Sequence, residues 1–302
     1  MSGSRNITPA QSDALRAILE EKNWSFCDLP YARWKAVGDK VNVVSYESGK
    51  LVVQGKNAPE FIEFILEPLI GVELLPPAET IPENNSPHCG VDESGKGDFF
   101  GPLIIAGVYV DEVTAPQLRS LGVCDSKMIK SDKKICELAQ KIREIVIGQY
   151  TVVTLPPVTY NRLYSQIGNL NRLLAWGHAR CIENILEKVP SCPHALSDKF
   201  GDESLIKRAL MEKGRKIRLE QRTKAESDIA VAAASILARE GFVNGCAKLT
   251  ERFGIAFTKG AGPLVKENGR QLLAMHGKEA FNECAKLHFK TYQELLNEGN
   301  LL

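Results

Sequence analysis

A proline-rich break is the feature that most limits what this 302-residue chain can fold into. Between Leu75 and Pro87 stand four prolines (Pro76, Pro77, Pro82, Pro87) and the pair Asn84-Asn85. Proline lacks the backbone N–H and pushes its predecessor out of helical geometry, so no helix or central strand runs through such a segment. The chain therefore reads as two units, residues 1–75 and 88–302, joined by a linker over 76–87.

In the shorter unit, Thr8 and Pro9 supply an N-cap and a first helical position. Ala14, Leu15, Ile18 and Leu19 follow at helical spacing to about Lys22. Short strands are expected over 31–38, 41–46 and 51–55, with turns at Gly38-Asp39 and Ser48-Gly49. A second helix is expected over 59–69. Past the break the pattern alternates between strands (88–93, 102–110, 148–155, 194–198) and helices (115–121, 131–146, 168–188, 203–213, 227–243, 265–274, 277–284). That alternation predicts an α/β domain with a mixed sheet flanked by helices.

Composition excludes several classes. With 44% hydrophobic and 25% charged residues the chain is ordinary globular protein. No run approaches the roughly 18 apolar residues of a membrane span, and the start leads into an amphipathic stretch with acids instead of an apolar signal core. No membrane association and a cytoplasmic location are expected. The eight cysteines contain no Cys-x-x-Cys pair, which supports neither a zinc site nor a disulfide framework. The net charge of +1 is low for a nucleic-acid binder but uneven: residues 1–80 carry 8 basic against 11 acidic residues, the remainder 30 against 26. From Lys207 to Lys224 eight basic residues face only Glu212 and Glu220. A solvated helix face explains such a run as well as phosphate contact does.

The chemistry concentrates in Gly90-Val-Asp92-Glu93-Ser-Gly95-Lys96-Gly97-Asp98-Phe-Phe-Gly101-Pro102. An Asp-Glu pair alone is an unremarkable strand end. Followed by glycines that let a ligand approach the backbone, with a lysine between two of them, it suits hard cations and phosphate. Two divalent ions about 4 Å apart can activate water and stabilise a leaving oxygen, and carboxylates from separate elements hold such a pair. Asp198 follows a short apolar stretch, as a third acid should. Glu226 or Asp228, both ahead of the small-residue run Ile229–Arg239, offers a fourth.

The whole thirteen-residue string resembles the signature of the type 2 ribonucleases H, and Gly-Lys-Gly with Asp-Phe-Phe-Gly-Pro is similar to their HIII branch. Asp198-Lys199-Phe200, Lys224-Ala225-Glu226, Asp125-Ser126-Lys127, the stretch Asn169–Arg180 (with Trp176 and His178), Phe257–Ala261 and Ala285-Lys286-Leu287-His288-Phe289 extend the likeness over most of 88–291. The resemblance implies a ribonuclease H-like fold and endonucleolytic cleavage of the RNA strand of RNA/DNA hybrids with Mg2+ or Mn2+, leaving 5′-phosphate and 3′-hydroxyl ends. It implies Asp92, Glu93, Asp198 and Glu226 as catalytic metal ligands, with Asp228 the competitor for the last place. Gly95, Lys96 and Gly97 would read ribose 2′-hydroxyls, and Ser126 and Lys127 would hold phosphate. Residues 1–75 resemble half of a TATA-binding protein, a substrate platform with Arg33, Lys35, Lys40, Lys50 and Lys56 as its basic face. Buried packing is expected for Trp176 and His178, and a monomer is expected; no protein partner is implied. An HII-like enzyme cutting at single embedded ribonucleotides, a catalytically dead hybrid binder and a small-molecule phosphohydrolase are the alternatives.

Overall fold

The computed structural model describes residues 2–55, 57–66, 69, 84–223 and 225–299. Most of the expected linker (76–83), Lys56, Lys224 and part of the expected helix over 59–69 lie outside the described residues. The chain divides into two compact units, Met1–Glu83 and Asn84–Leu302.

In the first unit, β1 (Ser2–Asn6) precedes α1 (Pro9–Glu21), then β2 (Ser25–Cys27), β3 (Ala32–Gly38), β4 (Val41–Tyr46), β5 (Lys50–Gly55) and the single turn α2 (Ala58–Phe61), which continues as a π-turn, Ile62–Leu66. The strands form one antiparallel sheet in the order β1-β5-β4-β3-β2. Helix α1 starts on a reciprocal capping box: Gln11 N donates to Thr8 Oγ1 (3.2 Å) and Thr8 N to Gln11 Oε1 (2.8 Å). Its Leu15 and Leu19 are buried with Trp34, Val43, Leu51 and Val53. The sequence pattern misses β1 and β2. Both are edge strands, the first too polar and the second too short to show alternation, and pairing alone makes them strands.

The second unit begins with β6 (His88–Ser94) and β7 (Leu103–Val110), followed by α3 (Thr114–Ser120), a 3₁₀ turn (Ser126–Met128), α4 (Asp132–Val146) and β8 (Tyr150–Leu155). Next come α5 (Pro157–Ile167), α6 (Leu170–Lys188), β9 (His194–Asp198), α7 (Glu203–Ala209), β10 (Arg218–Arg222) and a 3₁₀ turn (Ala225–Ser227). Helices α8 (Ile229–Phe253), α9 (Pro263–His276), α10 (Phe281–Cys284) and α11 (Lys290–Gly299) complete it. The sheet order is β10-β9-β6-β7-β8, parallel across β10, β9 and β6 and antiparallel across β6, β7 and β8, so the expected mixed sheet is present. Strand β7 is buried on both faces. Ile104, Ala106, Val108 and Val110 meet α3, α4 and α8, while Leu103, Ile105 and Tyr109 meet α6.

Four expectations are corrected here. Helix α8 runs on to Phe253, and is long and apolar enough by length and composition to cross a membrane. It is instead the central helix: Ala230, Ala233, Ala234 and Ala238 are fully buried against the sheet and α4. The approach is so close that a Cβ on Gly90 would lie 2.2 Å from Val231 N. Second, the basic stretch is not one helix. Helix α7 ends at Ala209, and Arg218–Arg222 forms the edge strand β10. Third, α5 and α11 are helices that the sequence pattern leaves as loop. Fourth, the expected helix over 277–284 is a 3₁₀ turn (Lys278–Ala280) running into the single turn α10.

Candidate active site

The strand register brings acids together. In parallel pairing Val91 lies opposite Ser197, which sets Asp92 of β6 level with Asp198, the last residue of β9. Strand alternation then splits Asp92 from Glu93. Asp92 shares the face of Gly90, toward α8, while Glu93 reaches His178 on α6. Glu226 sits in the 3₁₀ turn between β10 and α8.

Like charge crowds this edge of the sheet. Burial raises the Asp92 carboxyl well above the carboxylate range, and the charges of Glu93, Asp198 and Glu226 add to it, against one hydrogen bond from Glu93 N (2.8 Å). Burial also raises Asp198, although Ala225 N donates to its Oδ1 (3.1 Å). Glu93 and Glu226 go the other way. Burial pushes Glu93 up, but the hydrogen bond from His178 Nε2 (2.9 Å) and the charges of His178 and Lys96 bring it below its ordinary value. Burial likewise opposes ionisation of Glu226, and the Lys127 ammonium, paired with it, outweighs that effect.

Asp228 is occupied elsewhere. Its carboxylate caps α8, accepting from Ala230 N (2.9 Å) and Val231 N (3.3 Å), and its other neighbour is the buried His88, with Nε2 at 3.0 Å. Ser126 is buried, and its N–H donates to Ser235 Oγ (3.2 Å). Arg239 of α8 ties down the same loop through the carbonyls of Ser126 and Ile129, which sets Lys127 over Glu226.

At Gly95 the backbone has φ of +90°, and a Cβ would lie 2.2 Å from Pro102 O, so glycine is required. Gly97 has open space where a Cβ would go. Lys96 Nζ lies 3.4 Å from Glu93 Oε1 and over the Phe200 ring.

Three residues have partners here that the sequence reading does not give. His178 is buried but not inert, bridging Glu93 and Ser197 Oγ (2.9 Å from Nδ1). His88 holds the cap of α8. Lys286 is fully buried and donates to Asp98 O (2.8 Å) and Gly101 O (2.7 Å), fixing the loop after Gly97. Only the Ala285–Phe289 motif hints at the last. Trp176, expected to be buried, is 39% exposed. Its neighbour Gly177 is the residue that packs on Ile105.

An all-oxygen set of four carboxylates suits hard divalent ions, and the unrelieved repulsion at Asp92 is what such ions would neutralise. Among the described residues no three His, Cys, Asp or Glu side chains are already grouped around a single ion position. Glu226 is turned onto Lys127, and Glu93 onto His178.

Comparison with known proteins places the chain in a family. The family Ribonuclease HII matches residues 89–292. A Ribonuclease HIII from Chlamydia abortus is 43% identical over 98% of this chain and 97% of its own length. One from Protochlamydia amoebophila is 41% identical over 95% and 94%. Among solved structures, Bst-RNase HIII in complex with Mn2+ superposes with a TM-score of 0.67 at 28% identity, covering 100% of both chains. Aquifex aeolicus RNase H3 gives 0.57 at 27% identity, covering 95% of this chain and 100% of that one. A chain with this edge of converging carboxylates and these relatives along its whole length belongs to the ribonuclease HIII family.

Proposed function

We propose that the protein cuts the RNA strand of RNA/DNA hybrids endonucleolytically, with Asp92, Glu93, Asp198 and Glu226 holding two divalent ions and with 5′-phosphate and 3′-hydroxyl ends as products. The observation that carries this reading is the meeting of the four acids at one sheet edge, from β6, β9 and the turn before α8. Bound there, divalent ions supply an activated water and charge stabilisation at the leaving 3′-oxygen. The chain's own residues do the rest. Asp92 and Asp198, in their deprotonated form, would hold the ions. His178 orients Glu93, a role typical of the partner that fixes a ligating carboxylate. Were Glu226 to hold an ion, Lys127, now paired with this glutamate, would be available to a phosphate, and Ser126 shapes its loop. The Gly95-Lys96-Gly97 backbone, held by the Lys286 clamp, reads the 2′-hydroxyl, the group that separates RNA from DNA.

The solvent face of the first unit's sheet carries Arg33, Lys35 and Lys50, opposite the buried Trp34, Ala36 and Leu51. This face supports a substrate-platform role for that unit; a monomer acting in the cytoplasm is part of the same proposal. Mg2+ and Mn2+ are both accepted in this reading.

Incubating the protein with either metal and three end-labelled duplexes tests it: an RNA/DNA hybrid, DNA with one embedded ribonucleotide, and plain DNA. The expected result is multiple cuts in the hybrid, little cutting at the single ribonucleotide and none in DNA. Efficient cutting at the single ribonucleotide would instead assign HII-like specificity. Binding without cleavage would make the acids structural.

A further inference from the structure

Outside the catalytic edge, a groove of about 600 Å³ runs between α6 and α7, lined by Ile167, Arg172, Trp176, Leu205 and Arg208 among others. Of the chain's three tryptophans, Trp24 and Trp34 are buried at 7% and 4% exposure, so Trp176 is the one that offers its ring to solvent. It forms no ring–ring contact among the described residues, whose aromatic pairs lie elsewhere. Arg172, Trp176 and Arg180 are all exposed at i, i+4 and i+8 spacing, which sets an arginine–indole–arginine stripe along one helix face. Arg208 faces the stripe from α7. The exposed Asp202 at the N-cap of α7 feels the charge of Arg208.

The groove belongs to the same end of the domain as the acids but is not part of their cleft. His178, two residues beyond Trp176, reaches Glu93. Two residues turn a helix by about 200°, so the indole points away from that contact. The link between the two places is short: Gly201, just past Asp198, lies against Asn171 at the start of α6.

We propose that this groove is a subsite for single-stranded nucleic acid that continues from the duplex being cut. The inference rests on the reading of the protein as a nuclease of hybrids. A cationic rim around an exposed aromatic ring suits a backbone of phosphates with a base available for stacking. Away from its ends a duplex keeps its base faces inside the helix, so along the strand the indole finds a face to stack on at unpaired bases. The apolar floor of Ile167 and Leu205 accepts the same flat surface. The occupant is therefore an overhanging strand, and cleavage would favour hybrids bordered by one.

The test compares a blunt RNA/DNA hybrid with the same hybrid carrying a single-stranded tail of about eight nucleotides, within the usual span of such sites. Binding is read in EDTA by anisotropy and by quenching of tryptophan fluorescence, using the full chain, Trp176→Ala, Trp176→Phe and the pair Arg172→Ala/Arg208→Ala. The tail is expected to tighten wild-type binding and quench the exposed indole. Trp176→Ala should weaken binding of the tailed substrate by about tenfold, and the arginine pair should weaken it and flatten its salt dependence. Trp176→Phe should retain part of the gain, and all variants should bind and cut the blunt hybrid as wild type does. A tail that adds no affinity to wild type overturns the proposal, as does equal loss on tailed and blunt substrates. Failure of wild type to cut the blunt hybrid at all would instead reject the nuclease reading, a separate result.

Discussion

At the scale of single residues, Asp92 is in the least favourable position of the site. Its carboxyl is raised, by burial first and by three neighbouring carboxylates next. A carboxyl raised in the folded state contributes stability that is present below its unfolded pKa, near 3.9, and lost as pH rises through the folded value. Ionising Asp92 in the metal-free protein is therefore opposed by burial and by its neighbouring carboxylates. Asp92→Asn should raise the melting temperature in EDTA by a few degrees while abolishing cleavage; a lower melting temperature would mean the crowding is not felt. For the same reason cleavage should rise with pH as Asp92 and Asp198 lose their protons. His178→Ala should weaken metal binding by about 10- to 100-fold, as loss of a ligand-orienting partner does. Saturating Mn2+ should restore much of the rate, and a Mn2+ titration of activity measures both. Asp92 and Glu93 are legible in the sequence as a pair within a motif. The spacing of Glu226 and Asp228 does not separate their roles, because Asp228's partner His88 lies 140 positions away. Trp176 reads as buried because its neighbours are apolar, and a helix face cannot be oriented until its packing partner is known.

Elements decide how the glycine loop is held. Lys286 buries its ammonium under the loop, where burial lowers its pKa to about 8 and two backbone carbonyls accept its hydrogen bonds. Lys286→Met keeps the stem and orphans both carbonyls, each at about 1–3 kcal/mol. Thermal or denaturant unfolding should show that loss, with hybrid KM rising more than kcat falls. Unchanged stability would remove the clamp from the account. The elements most legible in sequence are those with a clear period or cap, such as α1 with Thr8-Pro9 and the apolar β7. Strand β10 is not: Arg-Leu-Glu-Gln-Arg on a sheet edge looks like charged surface, and only its pairing with β9 makes it a strand.

Across the whole molecule, charge is placed locally, since the net is only +1. The solvent face of the first unit's sheet, with Arg33, Lys35 and Lys50, should act on affinity and not on chemistry. Reversing these three to glutamate should raise KM, leave kcat near wild type and reduce the salt dependence of binding by roughly one unit for each phosphate no longer neutralised. The proline-rich break shows in the sequence that there are two units. The strand register that sets Asp92 beside Asp198 does not show there, because register depends on pairing between segments a hundred residues apart. In the proposed site Glu226, and not the nearby Asp228, completes the acidic set. Cleavage of an end-labelled RNA/DNA hybrid in Mg2+ or Mn2+ by Glu226→Gln and Asp228→Asn tests it most directly. Glu226→Gln is expected to be folded and inactive, while Asp228→Asn, which still caps α8, is expected to lose stability but to cut. An active Glu226→Gln beside a folded, inactive Asp228→Asn would contradict it.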